Sequence, residues 1–155
     1  MSKEGIKLRG FFRVQITEKG EVKGDSGWCE NTLTNVGFSD FLCALLGNTT
    51  NSKQIGFMAI GTGTGPNATH TTLDGEVGAS VKRKAVTVSV SGSKTLRFTA
   101  TFGASDSFIA ATTNIRNLGL YSGSSGVGFF AGSTFASSNC ATNQDVNATY
   151  DIQFS

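Results

Sequence analysis

Apolar and polar residues alternate along much of this chain, in short runs separated by glycine, serine and threonine. Ile6, Leu8, Phe12, Val14 and Ile16 are interleaved with Lys7, Arg9, Arg13 and Gln15. Successive side chains of an extended strand point to opposite faces, so a period of two over this length predicts a half-buried strand. Phe11 breaks the pattern and is expected to meet a neighbour. Glu18-Lys19-Gly20-Glu21 reads as a hairpin turn, because Gly20 can take a positive φ freely. The returning strand runs through Val22 towards Trp28, interrupted at Gly24-Asp25-Ser26-Gly27.

The period then changes. Phe38, Phe41, Leu42, Leu45 and Leu46 fall at i, i+3, i+4, i+7 and i+8, one stripe of a 3.6-residue repeat. This spacing predicts one helix over 36–46, with Thr34 or Asn35 as its cap and Gly47 suited to the left-handed position after it. An amphipathic helix of this length in a β protein is expected to plug one end of a sandwich.

Beyond the helix the strands resume. The apolar run 54–60 reads as a buried strand leading into the loop Gly61-Thr62-Gly63-Thr64-Gly65-Pro66, and Leu73, Glu76 and Val77 read as a brief helical turn. Val86, Val88 and Val90 alternate with Thr87 and Ser89. Ser91-Gly92-Ser93-Lys94 turns the chain into Leu96, Phe98, Ala100 and Phe102, which alternate with Thr95, Arg97, Thr99 and Thr101. A second hairpin joins 115–121 to 128–135 across the Gly/Ser-rich stretch 122–126. Val146, Ala148, Tyr150, Ile152 and Phe154 form a closing strand that pins the carboxyl end in the sheet. The pattern predicts an all-β fold: an antiparallel, jelly-roll-like β-sandwich of about 8–9 strands with one short α-helix. Phe98, Phe102, Val88, Tyr150, Ile152 and Phe154 are expected inside.

Length and composition sharpen this. At 155 residues the chain reads as a single β-sandwich domain over 1–155, with residues 1–7 available as an N-terminal arm. Charged residues make up 15%, against a typical ~25%, while twelve Phe residues supply core material and argue against disorder. A net charge of +2 gives no reason to expect nucleic acid as a partner. The basic run Lys82-Arg83-Lys84 reads as a solvated strand rather than a phosphate contact. No apolar run approaches the ~18 residues of a membrane span. The first residues lack an apolar signal region, so synthesis in a cytoplasm is expected. Cys29, Cys43 and Cys140 show no paired spacing and read as three reduced, buried thiols.

The chemistry is thin. His70 is the sole histidine and lies in the polar stretch Asn67-Ala68-Thr69-His70-Thr71-Thr72, where it reads as an exposed loop residue. Any Ser-His-Asp or Cys-His arrangement would have to pass through it, since the base must take the nucleophile's proton. The glycine loop lacks the sixth-position glycine of a dinucleotide fingerprint, because Pro66 stands there, and it lacks the Gly-Lys-Ser/Thr end of a P-loop. It reads as a flexible connection. Asp74 and Glu76 point apart if extended, so they do not make a facing carboxylate pair. Asp25 and Glu30 flank Trp28, a combination found in sugar-binding sites, although Trp28 also suits a core or edge position. No catalytic residue, cofactor or metal site is expected, and the chain does not read as an enzyme.

An ordered series of short signatures adds to this. Asn31-Thr32-Leu33-Thr34-Asn35-Val36-Gly37 opens the helix, and Ile60-Gly61-Thr62-Gly63 follows a buried strand. Then come Thr72-Leu73-Asp74-Gly75-Glu76-Val77, Arg83-Lys84, Phe98-Thr99-Ala100-Thr101-Phe102, Leu118-Gly119-Leu120-Tyr121 and the closing Tyr150-Asp151-Ile152-Gln153-Phe154-Ser155. With these the chain resembles the small β-sandwich structural proteins of tailed bacteriophage and related virus particles: head decoration, head-fibre-base and tail-associated proteins. The resemblance covers roughly residues 28–155 and implies a virion structural protein, most simply a capsid decoration protein. Its partners would be copies of itself and major capsid or tail proteins, with a host-surface glycan as a further candidate. The family has no common catalytic residues to carry over. The competing expectation is a carbohydrate- or receptor-binding module with Trp28 and Tyr121 as its platform.

Overall fold

The computed structural model describes residues 7–43, 47, 52–78, 83–126 and 128–155. Two antiparallel sheets pack face to face as a sandwich. The first has the order β2-β1-β11-β8-β7, with β3 also on β1; the second has the order β4-β10-β9-β5-β6. In chain order these are β1 Leu8–Glu18, β2 Glu21–Asp25, β3 Cys29–Glu30, β4 Thr32–Leu33, β5 Phe57–Gly61, β6 Arg83–Ala85, β7 Thr87–Gly92, β8 Thr95–Phe102, β9 Thr113–Tyr121, β10 Phe129–Cys140 and β11 Asp145–Phe154. The chain changes sheet between β3 and β4, β6 and β7, β8 and β9, and β10 and β11. The short pieces β3, β4 and β6 escape a periodicity reading because two or three residues cannot show a period.

The first sheet follows its sequence pattern. Phe12, Val14 and Ile16 of β1 are buried while Arg13, Gln15 and Thr17 face outward, and β11 runs beside them with Phe12 opposite Tyr150 and Val14 opposite Ala148. Burying side chains of this size removes roughly 1.5–3 kcal/mol of apolar hydration each. The Phe12 and Tyr150 rings stack at 6.3 Å, and Phe102 meets Phe108 at 5.8 Å. The β1–β2 hairpin closes through Lys19 and Gly20 at φ 50° and 80°, the doubly left-handed turn that matches strand twist. Phe11 lies on the outward face, half-buried.

Two expected core residues are not buried. Val88 is 49% exposed and Phe154 39% exposed, although Phe98, Phe102, Tyr150 and Ile152 are buried as expected. Val88 does share a face with Phe98, its partner across the ladder. The face was read correctly, but β7 is the last strand of its sheet and all six of its residues stay exposed. Alternation assigns a face; it cannot say how far the opposing sheet extends.

The helix is shorter and wider than the 3.6-residue stripe implies. Its core, Gly37–Leu42, has i→i+5 closure, with Phe41 buried and Phe38 58% exposed. A wider turn rotates less per residue, so Phe38 and Phe41 separate round the axis instead of sharing a stripe. Leu45 and Leu46 lie outside the described residues. Thr34 is the cap: its Oγ1 accepts the Gly37 N–H at 2.8 Å and donates to the β10 backbone carbonyls of Phe129 and Phe130. A Cβ at Gly37 would lie 2.0 Å from the Phe130 oxygen, so only glycine lets the helix settle on β10. Phe41 then packs against Phe130, the rings tilted at 54° with centroids 5.2 Å apart.

The second sheet is covered on both faces. Met58 and Ile60 point into the main core, while Ala59 joins Leu73, Tyr121 and Phe129 in a smaller cluster on the other side. The cover is the excursion 62–78, which contains turns and one bridge, Gly61 to Glu76, rather than a helical turn at 73–77. Of the supposed arm, residues 1–6 lie outside the described residues. Lys7 exchanges two backbone hydrogen bonds with Ser155, at 2.8 and 3.0 Å, and so extends the β1–β11 ladder.

Candidate interaction surface

The residues singled out for chemistry disperse into structural roles. His70 is half-buried; its Nδ1 accepts the Asn67 N–H at 3.3 Å, and its ring packs beside Gly65 in a polar depression shared with Asp74. Asp74 anchors the glycine loop: Oδ2 accepts the Thr64 N–H at 3.3 Å, and its backbone oxygen accepts from Asn117 Nδ2 at 2.9 Å. A Cβ on Gly61 would meet Asn117 Oδ1 at 2.3 Å, and one on Gly63 would meet Asp74 at 2.4 Å. The loop's glycines thus permit close backbone packing. The loop is a pinned connection rather than a flexible one.

Arg83 overturns the solvated reading of the basic run. Its side chain is 5% exposed, and its guanidinium holds Glu76 in a fork at 2.8 and 3.2 Å. It also donates to the carbonyls of Gly123 and Gly126 and lies 3.5 Å over the Tyr121 ring. Lys84 pairs with Asp106 at 2.7 Å, and Lys82 lies outside the described residues. A buried, bidentate, stacked arginine ties the covering loop to the sheet beneath it.

Tyr121 is fully buried and cannot serve as a platform. Its hydroxyl accepts the Leu73 N–H at 2.5 Å, and burial pushes its pKa up to about 12. The thiols separate by burial. Cys140 is buried and its pKa is raised to about 11, chiefly by burial and further by Asp145; burial raises Cys29 as well. Cys29 and Cys43 are partly exposed, not buried as expected, and all three are free. A thiol so shifted is a poor nucleophile at neutral pH. Among the described residues no three His, Cys, Asp or Glu side chains come together in a metal-holding group, and no helix is long and apolar enough to cross a membrane.

Two surfaces remain, on opposite faces of the first sheet. One is the β7 edge. Among the described residues the other outermost strands are charged or short: β2 carries Glu21, Lys23 and Asp25, β4 is two residues long, and β6 is three residues long with Arg83 and Lys84. β7 has no such protection. It is six residues long and uncharged, with Val88 49% and Val90 79% exposed on the core-side face; its irregularity, between Val90 and Gly92, lies at the turn end. Beside it opens an apolar cleft of about 310 Å³ lined by Phe41, Ile55, Val88, Leu96 and Phe154 among others.

The other surface is the outward face of β1, β8 and β11. Trp28 stands over it, 47% exposed, with Phe11, Asp151 and Gln153 lining a depression of about 280 Å³. Arg97 makes a fork to Asp151, 2.8 Å on both bonds, and its guanidinium lies 5.7 Å from the Trp28 ring. Asp25 and Glu30, which flank Trp28 in sequence, are held by Arg13 and Arg9. The Arg13 fork and the Gly27 N–H hold the Asp25 carboxyl well below the usual carboxylate range. The sequence indicated Trp28, Asp25 and Glu30; it missed Arg97, Asp151 and Gln153, whose outward direction follows from the same alternation that placed Phe98 and Ile152 inside. Compared with known proteins, the chain matches no family model, no curated protein sequence and no solved structure.

Proposed function

We propose that this chain is a non-catalytic structural subunit that works by packing against copies of itself, on the particle of a tailed virus, as a capsid decoration protein or a tail- or fibre-associated subunit. The observation that carries the assembly reading is the β7 edge. An uncharged edge strand with exposed valines presents unpaired backbone groups to any second strand, and soluble proteins normally blunt such edges. A second copy of β7 is a fitting partner: two uncharged strands pair about a twofold axis without opposing like charges. Such pairing would also cover Val88 and Val90, worth on the order of 1 kcal/mol per valine.

The virion setting rests on the signature series, and the posts its residues hold support it. Asn31 donates to the buried Tyr150 hydroxyl, Thr34 caps the helix and Gly37 lets it approach β10. Asp74, Gly75 and Glu76 bind the covering loop, and a Cβ on Gly119 would meet Phe129 at 2.5 Å. Every one of these jobs builds the sandwich and none positions a reacting group. A shared scaffold without shared chemistry is what a packing module needs. The test is to purify particles of the virus that encodes the chain and identify their proteins by mass spectrometry. Stoichiometric presence, in numbers matching a capsid or tail symmetry, is expected; absence from the particles contradicts the reading.

A further inference from the structure

We propose that the outward face of β1, β8 and β11 binds a neutral sugar residue, stacked on Trp28 and hydrogen-bonded by Gln153. This goes beyond the assembly reading and does not depend on it, because alternation puts the two surfaces on opposite faces of the sheet: Leu96 and Ile152 point to the core side, Arg97, Asp151 and Gln153 away from it.

Trp28 is presented by a built feature. Between β2 and β3 the chain leaves the ladder at Ser26, whose N–H donates to Val14 O at 2.9 Å and whose Oγ accepts the Val14 N–H at 2.9 Å. Gly27 follows at φ 66°, its N–H held by Asp25 Oδ1 at 2.9 Å. These bonds fasten the bulge on its β2 side and the Cys29–Phe12 ladder pair fastens it on its β3 side, and it projects the chain's sole tryptophan over the sheet with nearly half its surface in solvent. A large aromatic left exposed on a fastened bulge forgoes burial worth about 2 kcal/mol or more. Phe11, on the same face and out of pattern with its own strand, gives the depression a second apolar wall.

The polar groups beside the rings fit hydroxyls. Asp151, in the wall of the depression, is fixed by Arg97 through Nε and one terminal nitrogen. Gln153 is exposed, and its amide, which makes no hydrogen bond to the described residues, offers both a donor and an acceptor. The site's volume lies just under the ~300 Å³ at which pockets for drug-sized ligands begin, which suits one ring rather than a larger ligand. Charge selects the class of sugar. All three arginines of the face are matched by carboxylates, in the pairs Arg9–Glu30, Arg13–Asp25 and Arg97–Asp151. With the arginines beside Trp28 matched in this way, the site carries no unpaired guanidinium to select an acidic sugar.

Because Trp28 is the only tryptophan, its fluorescence reports this site alone. Titration of the full chain with lactose, chitotriose, maltotriose and sialyllactose tests the proposal. A saturable change in Trp28 emission with at least one neutral oligosaccharide, at millimolar concentration or below, is expected. It should weaken at least tenfold in both Gln153→Ala and Phe11→Ala, each checked for an unchanged circular dichroism spectrum. No saturable change with any neutral probe, tighter binding of sialyllactose than of lactose, or undiminished binding in folded Gln153→Ala would each overturn it.

Discussion

Val88 faces Phe98 across the β7–β8 ladder on the same side of the sheet, yet Phe98 is 4% exposed and Val88 49%. One step along the hydrogen-bonding direction separates the interior of the sandwich from its open margin. The proposed mode of assembly starts from that margin, and the stability of the rest of the domain can be tested separately.

The Arg83–Glu76 fork holds the covering loop to the second sheet. Removing one member of a buried, hydrogen-bonded pair typically costs about 3–5 kcal/mol, because the other charge is left without its partner. Arg83→Ala is expected to lower stability by about that much, read from the denaturant midpoint. Arg97→Ala, whose pair is 36% exposed on the arginine side, should cost distinctly less.

Glycines divide by what surrounds them. Gly37→Ala should destabilise by roughly 2–3 kcal/mol, since the added methyl meets the Phe130 carbonyl. Gly20→Ala meets nothing but must hold φ 80°, at about 1–2 kcal/mol. Gly92→Ala meets nothing and has no such φ, so thermal melts should place it within about 0.5 kcal/mol of the parent protein.

Stability should form a plateau in pH. Asp25, Asp40 and Asp106 have lowered pKa values, first through side-chain hydrogen bonds from Arg13, Lys53 and Lys84 respectively. A depressed folded pKa gives stability that is present above the unfolded value of ~3.9 and lost as pH falls through the folded one. Cys140 and Tyr121 are raised, so their contribution is present below the unfolded values of ~8.5 and ~10 and lost as pH climbs towards about 11 and about 12. Urea midpoints measured across pH should therefore fall below about pH 4 and above about pH 9. Asp25→Asn should flatten the acid limb.

Thiol reactivity reads the packing directly. Cys29 and Cys43 are partly exposed and Cys140 is buried. A disulfide reagent should leave Cys140 unmodified in the native protein and reach it only on unfolding; modification of Cys140 at the rate of the other two would place it outside the core.

The sequence was legible where a strand is buried on one face. β1, β8 and β11 could be read residue by residue because Phe12, Phe98 and Tyr150 alternate with polar neighbours against one opposing sheet. The second sheet was harder, since Met58, Ala59 and Ile60 are consecutive and all buried, which only a cover on both faces allows. That cover depends on Arg83 reaching Glu76 and Tyr121 across a loop, a contact without any period. Tyr121 looked like a surface aromatic for the same reason. Trp28 was visible as a candidate because of Asp25 and Glu30, but Arg97, Asp151 and Gln153 join it only through the β8–β11 register.

Sedimentation velocity of the parent protein beside Val90→Lys decides whether β7 joins one copy to another. Val90 is 79% exposed, so a lysine there leaves the fold intact while placing like charges together wherever two β7 strands pair. The parent is expected to sediment as a dimer or larger closed assembly at micromolar concentration. The variant should sediment as a monomer with an unchanged melting temperature. A parent protein that stays monomeric over that range, or a variant that associates as the parent does, would contradict it.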